Sequence, residues 1–337
     1  MGNIALVKKF WSILSKYRKK QFLMIMILVV IASIAEIISL GAVIPFLGVL
    51  TSVELVFEHS SVQPLIQFLS ITEPKQLIAP ITFIFIIAII FAGLIRVFLV
   101  YVLTKFSYAT GADLSNNIYK RTLYQEYLVH MSQNTSEVIN GIITKTNIVI
   151  TGIITPILNI ISSSIILIGI MAVLLSINFY MSTIILGSFT LIYLSITKYT
   201  KLKLKNNSHH IASQSTMMVK SLQEGLGGIR DVLINDSQEF YCSLYRNADS
   251  SFRRATATNV FIALSPRYII ESIGMIVIVA FSYVLVYQQD NIIGSVPILG
   301  ALALGMQRLL PVLQNIYAGY TNIQLSLIHI SEPTRPY

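Results

Sequence analysis

The chain has 337 residues, of which 54% are hydrophobic and only 12% are charged, and its formal net charge is +9. Soluble domains carry about 25% charged residues, so the composition excludes an ordinary soluble enzyme and indicates a protein that folds in a lipid bilayer. A basic excess can also signal nucleic-acid binding. Here the basic residues lie beside apolar runs, so no nucleic-acid partner is expected.

Six apolar runs are long enough to cross a membrane, which takes about 20 mostly apolar residues in a helix. They predict an all-α membrane protein with an N-terminal segment at 1–21 and spans at about 22–50, 80–103, 148–175, 179–197, 268–287 and 296–320. A turn-like stretch at 176–180 makes the third and fourth runs a hairpin; five spans is the alternative count. The first run is too long for a signal peptide and has no small-residue cleavage site.

The distribution of Lys and Arg predicts the orientation, because positively charged loops stay in the cytoplasm. Nineteen of the 24 basic residues lie before the first span, in 105–137 or in 198–267. The segments that alternate with these, 51–79, 176–178 and 288–295, contain only Lys75. We therefore expect a multi-pass protein of an inner membrane with both termini in the cytoplasm.

The first external loop contains a short amphipathic stretch. Val62, Leu65, Ile66 and Leu69 are spaced as one apolar face of a helix. The pattern predicts a helix at about 60–70. This helix either lies on the outer membrane surface or packs on the bundle.

A long helical arm is predicted in the cytoplasm between the fourth and fifth spans. Residues 198–267 mix charged and apolar positions with helical spacing, which predicts two helices, 198–224 and 235–265, each on the order of 40 Å long. The glycines of 224–228 interrupt the helix at the far end, and 229–234 crosses this tip.

The region 105–147 is expected to form a second, similar arm, with its tip near 124–136. Arms of this length favour a membrane domain that is driven by a cytosolic motor, because a motor needs levers through which to apply force. A small soluble domain at 198–267 is the alternative.

Charged residues within the spans are the candidate functional residues, because a charge near the bilayer centre costs about 2.5–3.5 kcal/mol and usually faces a cavity or a partner. These residues are Glu36, Arg96 and Arg308, with Arg267 and Glu271 at the inner end of the fifth span. The arginine excess suits a phosphorylated or pyrophosphorylated substrate, since guanidinium binds phosphate bidentately and stays charged. The alternative is structural pairing, Glu36 with Arg96 and Arg267 with Glu271, which leaves Arg308 without a partner.

No enzyme motif occurs in the sequence. It lacks a Walker A phosphate loop, a zinc-protease H-E-x-x-H and a G-x-S-x-G nucleophile motif, so no catalytic residue and no cofactor is assigned to this chain. His209 and His210 lie among Lys, Asn and Ser residues, where a solvated face is expected rather than a metal site. Cys242 is the single cysteine, so neither a disulfide nor a cysteine metal site is expected.

The six spans, the arms and the tip sequence 224–240, E-G-L-G-G-I-R-D-V-L-I-N-D-S-Q-E-F, together resemble the transmembrane domain of ATP-binding-cassette (ABC) exporters. The resemblance covers about 1–323 and places that domain at 22–323. It implies a homodimer and two coupling helices that dock on a nucleotide-binding domain, which would bind ATP and Mg²⁺. The coupling residues would be Ile229, Arg230, Asp231, Val232 and Leu233 in one arm and Tyr124, Glu126 and Tyr127 in the other.

Within this family, residues 36–46, E-I-I-S-L-G-A-V-I-P-F, resemble the first span of the subgroup that contains the lipid-linked oligosaccharide flippase. The subgroup implies a short external helix, here 60–70, and cavity arginines that handle pyrophosphate. Arg96, Arg267 and Arg308 match these arginines by position and, with Glu36, form the expected substrate-binding set. The expected function is ATP-driven export or flipping of a pyrophosphate-linked oligosaccharide lipid. The alternatives are an exporter of drugs, peptides or simple lipids and an ion-coupled carrier or channel.

The end of the sequence departs from the family pattern, in which nucleotide-binding motifs follow the sixth span. Residues 325–335, L-S-L-I-H-I-S-E-P-T-R, resemble the translation of an adapter used in sequencing libraries. We therefore expect 324–337 to be an artefactual tail and the nucleotide-binding domain to be absent from this sequence for that reason.

Overall fold

The computed structural model describes residues 11, 14–59, 62–132, 138–139, 141–288 and 292–331. Throughout this part of the chain the regular elements are helices, and six helical segments are long and apolar enough to cross a membrane. The prediction of an all-α membrane protein with six spans is confirmed.

The first span consists of two helices, α1 (Lys16–Gly41) and α2 (Val43–Thr51). The Oγ of Ser15 accepts a hydrogen bond from the Arg18 backbone N–H at 3.2 Å, so a serine begins the helix as its N-cap. Pro45 has no N–H to donate to the carbonyl of Gly41 one turn earlier. The helix is therefore interrupted at Ala42, between α1 and α2.

The external loop contains α3 (Val53–Phe57), α4 (Gln63–Phe68) and a 3-10 turn at Pro74–Leu77. Ile66 of α4 is buried and packs in one cluster with Val49 and Leu77. Helix α4 therefore packs on the bundle, which was one of the two alternatives for 60–70. It is shorter than that range, whose first two residues lie outside the described residues.

The helices that follow complete the fold. They are α5 (Ile78–Leu123), α6 (Tyr127–Ser132), α7 (Thr146–Val149), α8 (Thr155–Ile177), α9 (Phe179–Gly227), α10 (Ile229–Ile234), α11 (Gln238–Gln288) and α12 (Ile292–Ser331). Two π-helical turns, Gly141–Lys145 and Ile150–Ile154, flank α7 at the start of the third span.

The arms are continuations of the membrane helices. Helices α5, α9 and α11 have 46, 49 and 51 residues. At about 1.5 Å per residue each is roughly 70 Å long, more than twice the thickness of the hydrocarbon core, about 30 Å. The alternative of a separate soluble domain at 198–267 is therefore wrong, because α9 and α11 continue from the fourth and fifth spans into this region without an interruption of the helix.

The spans are held together by two buried apolar clusters that share helix α8. Ile170 of α8 packs with Phe189 of α9, Ile270 of α11 and Leu309 of α12. On its other side, Leu158 of α8 belongs to a cluster made with α1 and α5. Helix α8 thus joins the first two spans to the last three.

Helix α12 runs to Ser331 and so enters the segment 324–337. Residues 332–337 lie outside the described residues. The expectation that this segment derives from an adapter stays a prediction.

Candidate functional site

The centre of the candidate site is the carboxylate of Glu36 on α1, which lies between α5 and α12. Its Oε2 is 2.9 Å from Nη1 of Arg308, and Nη2 of Arg308 donates a hydrogen bond to Oγ of Ser39 at 3.0 Å. Glu36 and Ser39 are three residues apart on one helix and therefore share a face. Both are buried, so α1 presents a paired acceptor site to the arginine of α12.

Arg96 of α5 approaches the same carboxylate from the other side. Its Nη1 lies 3.6 Å from Oε1 of Glu36, which is an ion pair but too long for a hydrogen bond. The Arg96 side chain is 42% exposed, compared with 26% for Arg308 and 7% for Glu36. One buried carboxylate thus forms ion pairs with two arginines, and the pair with Arg308 is the closer one.

The pairing of Glu36 with Arg96 predicted from the sequence is present. The expectation that Arg308 then lacks a partner is wrong, because the first and sixth spans meet at Glu36 and Ser39. Ser39 was missed by the sequence reasoning, although its position three residues after Glu36 was a usable signal.

Arg267 and Glu271 on α11 are not brought into this cluster. Both are exposed, and among the described residues neither forms an ion pair, so the predicted pair between them is absent. Pro266, next to Arg267, interrupts the hydrogen bonding of α11. One turn away, the buried Gln314 of α12 donates a hydrogen bond to the carbonyl of Ala263 at 2.8 Å and so joins this part of α11 to the sixth span.

The cluster of Glu36, Arg96 and Arg308 has a formal charge of +1 within the membrane-spanning part of the bundle. A guanidinium keeps its charge there, whereas other cations lose theirs more readily. The arrangement can therefore attract an anion and donate hydrogen bonds to it. Within the described part of the chain, no group of His, Cys, Asp and Glu residues could hold a metal ion.

The two tips of the arms are short exposed helices. Helix α10 forms the first tip: it follows Gly228 and is ended by a turn in which Asp236 has φ 51°, a left-handed conformation that Asp tolerates. Val232 is buried, whereas Ile229, Arg230, Asp231 and Leu233 are exposed.

The second tip comprises the end of α5 and helix α6. Tyr124, Glu126 and Tyr127 are exposed on it. Both tips therefore present apolar and aromatic side chains to the surroundings, as a docking surface does.

Within the described residues, six apolar helices are long enough to cross a membrane and three of them continue as long arms, which defines a multi-pass membrane protein. Residues 21–309 match the family model for the ABC transporter transmembrane region. The chain belongs to this family and is the membrane half of an exporter. Domains of this kind usually pair with a nucleotide-binding domain.

Proposed function

We propose that this protein flips a lipid-linked oligosaccharide with a pyrophosphate group, or a related anionic amphiphile, outward across a bacterial inner membrane. A homodimer with cytoplasmic termini would alternate between inward and outward openings. ATP and Mg²⁺ would bind in the nucleotide-binding domains and drive the cycle through the two tips. Arg96, Arg267 and Arg308 would supply positive charge to the phosphate groups.

The observation that carries the proposal is the cluster at Glu36. A protein that only needed to pair a buried charge would use one arginine per carboxylate, because each extra charge in the membrane is costly. Here two arginines surround one carboxylate, which leaves one positive charge for a ligand. Guanidinium groups bind phosphate through two parallel hydrogen bonds, as they bind carboxylate, so a phosphate group suits this free charge.

An exporter of drugs, peptides or simple neutral lipids is the second candidate, since it would use the same fold without needing the excess charge. The ion-coupled carrier or channel considered from the sequence is set aside by the family match over residues 21–309.

Replacing Arg308 with alanine tests the proposal in the protein reconstituted with its nucleotide-binding domain. We expect Arg308→Ala to reduce flipping of a pyrophosphate-linked lipid at least tenfold, which corresponds to loss of about 1.4 kcal/mol of substrate stabilisation, while basal ATP hydrolysis stays near the wild-type rate. Arg254→Ala, at an exposed position on the arm, is the control and should change neither rate. Equal loss of flipping and ATP hydrolysis in Arg308→Ala would count against a substrate role.

A further inference from the structure

We infer that Glu36 is a displaceable counter-ion: a phosphate group of the substrate takes its place on Arg308, and the carboxylate moves to Arg96. This inference rests on the proposed function and assigns separate roles to two arginines that the function alone treats as equivalent. Arg308 contacts the substrate. Arg96 is a positioning residue that holds the displaced carboxylate.

Without substrate, the Glu36 carboxylate lies closer to Arg308 than to Arg96, which is the arrangement that such an exchange requires. The carboxylate forms a close ion pair with Arg308 at 2.9 Å and lies 3.6 Å from Arg96. A movement of less than 1 Å therefore converts the Arg96 contact into a hydrogen bond of ordinary length, about 2.8 Å. Among the described residues, Oε1 of Glu36 has no hydrogen-bond partner, so it is free to accept this bond.

The electrostatics explain why a resident carboxylate is needed and why phosphate can replace it. Two arginines without a counter-ion would repel each other in a medium of low dielectric constant, and Glu36 prevents this when no substrate is bound. A pyrophosphate that joins a lipid to a sugar carries a negative charge on each of its phosphate groups, so it brings more charge and more acceptor oxygens to the arginine than the single carboxylate does. It therefore competes effectively for Arg308, whereas a neutral group does not.

Arg308 also keeps one hydrogen bond during the exchange. Its Nη2 donates to Ser39 at 3.0 Å, and Ser39 is fully buried on α1. The guanidinium therefore stays in place when Glu36 leaves Nη1. The exchange removes one of the two contacts of Arg308 with α1 and shortens the contact between α1 and α5, and so links substrate binding to the packing of three spans.

Binding to the whole chain in neutral phosphatidylcholine nanodiscs tests the inference, with farnesyl pyrophosphate as the probe and farnesol as the uncharged control. Glu36→Gln removes the competing charge and should bind farnesyl pyrophosphate about tenfold more tightly, because the phosphate no longer has to displace a charged partner from Arg308. Glu73→Gln, on the external loop, should bind like the wild type. Unchanged or weaker binding by Glu36→Gln overturns the exchange.

The role of Arg96 is tested by a double-mutant cycle. Arg96→Ala alone should weaken binding of farnesyl pyrophosphate, because the displaced carboxylate then has no partner. In the Glu36→Gln background the same substitution should have little effect, since there is no carboxylate to receive. Equal weakening in both backgrounds means that Arg96 contacts the probe itself, and it overturns the exchange.

Two further comparisons distinguish misfolding of a variant, or failure of the proposed function, from failure of the exchange. If Glu36→Gln does not fold, Glu36→Asp keeps the charge but withdraws the carboxylate by one methylene, and it should still bind more tightly than the wild type; weaker or unchanged binding overturns the exchange. If Arg308→Ala binds the probe as the wild type does and farnesol binds equally well, the proposed function fails. If Arg308→Ala loses binding and Glu36→Gln does not gain it, only the exchange fails.

Discussion

An ion pair contributes more to the stability of the fold when surrounding contacts hold its two side chains in place. Two ion pairs in this protein differ in this respect. Arg18 on α1 and Asp113 on α5 are bonded at 2.7 Å and 3.3 Å, and Arg18 also donates to Gln21 and to the carbonyl of Ala109. Arg253 and Asp249 are also 2.7 Å apart, but they lie on one helix and Arg253 is exposed. The sequence reasoning identified neither pair.

The first pair should stabilise the fold more than the second. A double-mutant cycle of Arg18→Ala and Asp113→Ala, measured by thermal unfolding in detergent, should give a coupling free energy of about 1–2 kcal/mol, because the bidentate pair joins two helices and Arg18 is largely buried. The cycle at Arg253 and Asp249 should give a clearly smaller coupling, because Arg253 is exposed and the pair lies one turn apart on a single helix. Equal couplings would contradict this assignment.

Helix α10 combines two kinds of residue that the sequence could not distinguish. Val232 is 6% exposed and Leu233 is 60% exposed, although both are apolar and adjacent. One anchors the tip on the arm, and the other is available to a docking partner. The glycines at 224–228 predicted that the helix would end here, but the rotation of the tip depends on packing between distant segments.

Substitutions at these two positions should distinguish an effect on folding from an effect on the transmission of force between the tip and a nucleotide-binding domain. Leu233→Asp should leave the unfolding temperature near that of the wild type and reduce substrate-stimulated ATP hydrolysis by the associated nucleotide-binding domain. Val232→Ala should destabilise the tip by about 1–3 kcal/mol, the usual cost of removing buried methyl groups. A Leu233→Asp variant with full stimulated hydrolysis would show that this face does not transmit force.

The helices α8 and α12 approach closely at Gly305. A Cβ atom there would overlap Leu174 of α8, and small residues permit such approach between membrane helices. Gly305→Val should therefore destabilise the protein by about 1–3 kcal/mol, as overpacking does. Gly93→Val on α5 is the control, because a Cβ atom there meets nothing within 4 Å. Thermal unfolding in detergent compares the two, and equal stability would contradict the packing assigned to Gly305.

At the scale of the whole molecule, the sequence predicted the structural features that depend on the residue pattern of a single segment. The six spans follow from apolar runs, the tip from its glycines and the Glu36–Arg96 pair from opposite charges. The ends of the helices were missed, because α9 and α11 pass from membrane to arm without a cap or break at 198 or 267. The Arg308–Ser39 bond joins residues 269 positions apart and depends on how the spans are rotated, which one sequence does not fix.

We propose that this protein is one device in which the tips of the long arms receive force and the charged cluster inside the membrane receives an anionic group. Its most direct test is transport by the wild-type protein with its nucleotide-binding domain in proteoliposomes, comparing a pyrophosphate-linked lipid with a neutral lipid that has the same tail. We predict flipping of the pyrophosphate-linked lipid that requires ATP, and little or no flipping of the neutral one. Equal rates for both lipids, or flipping that proceeds without ATP, would contradict the account.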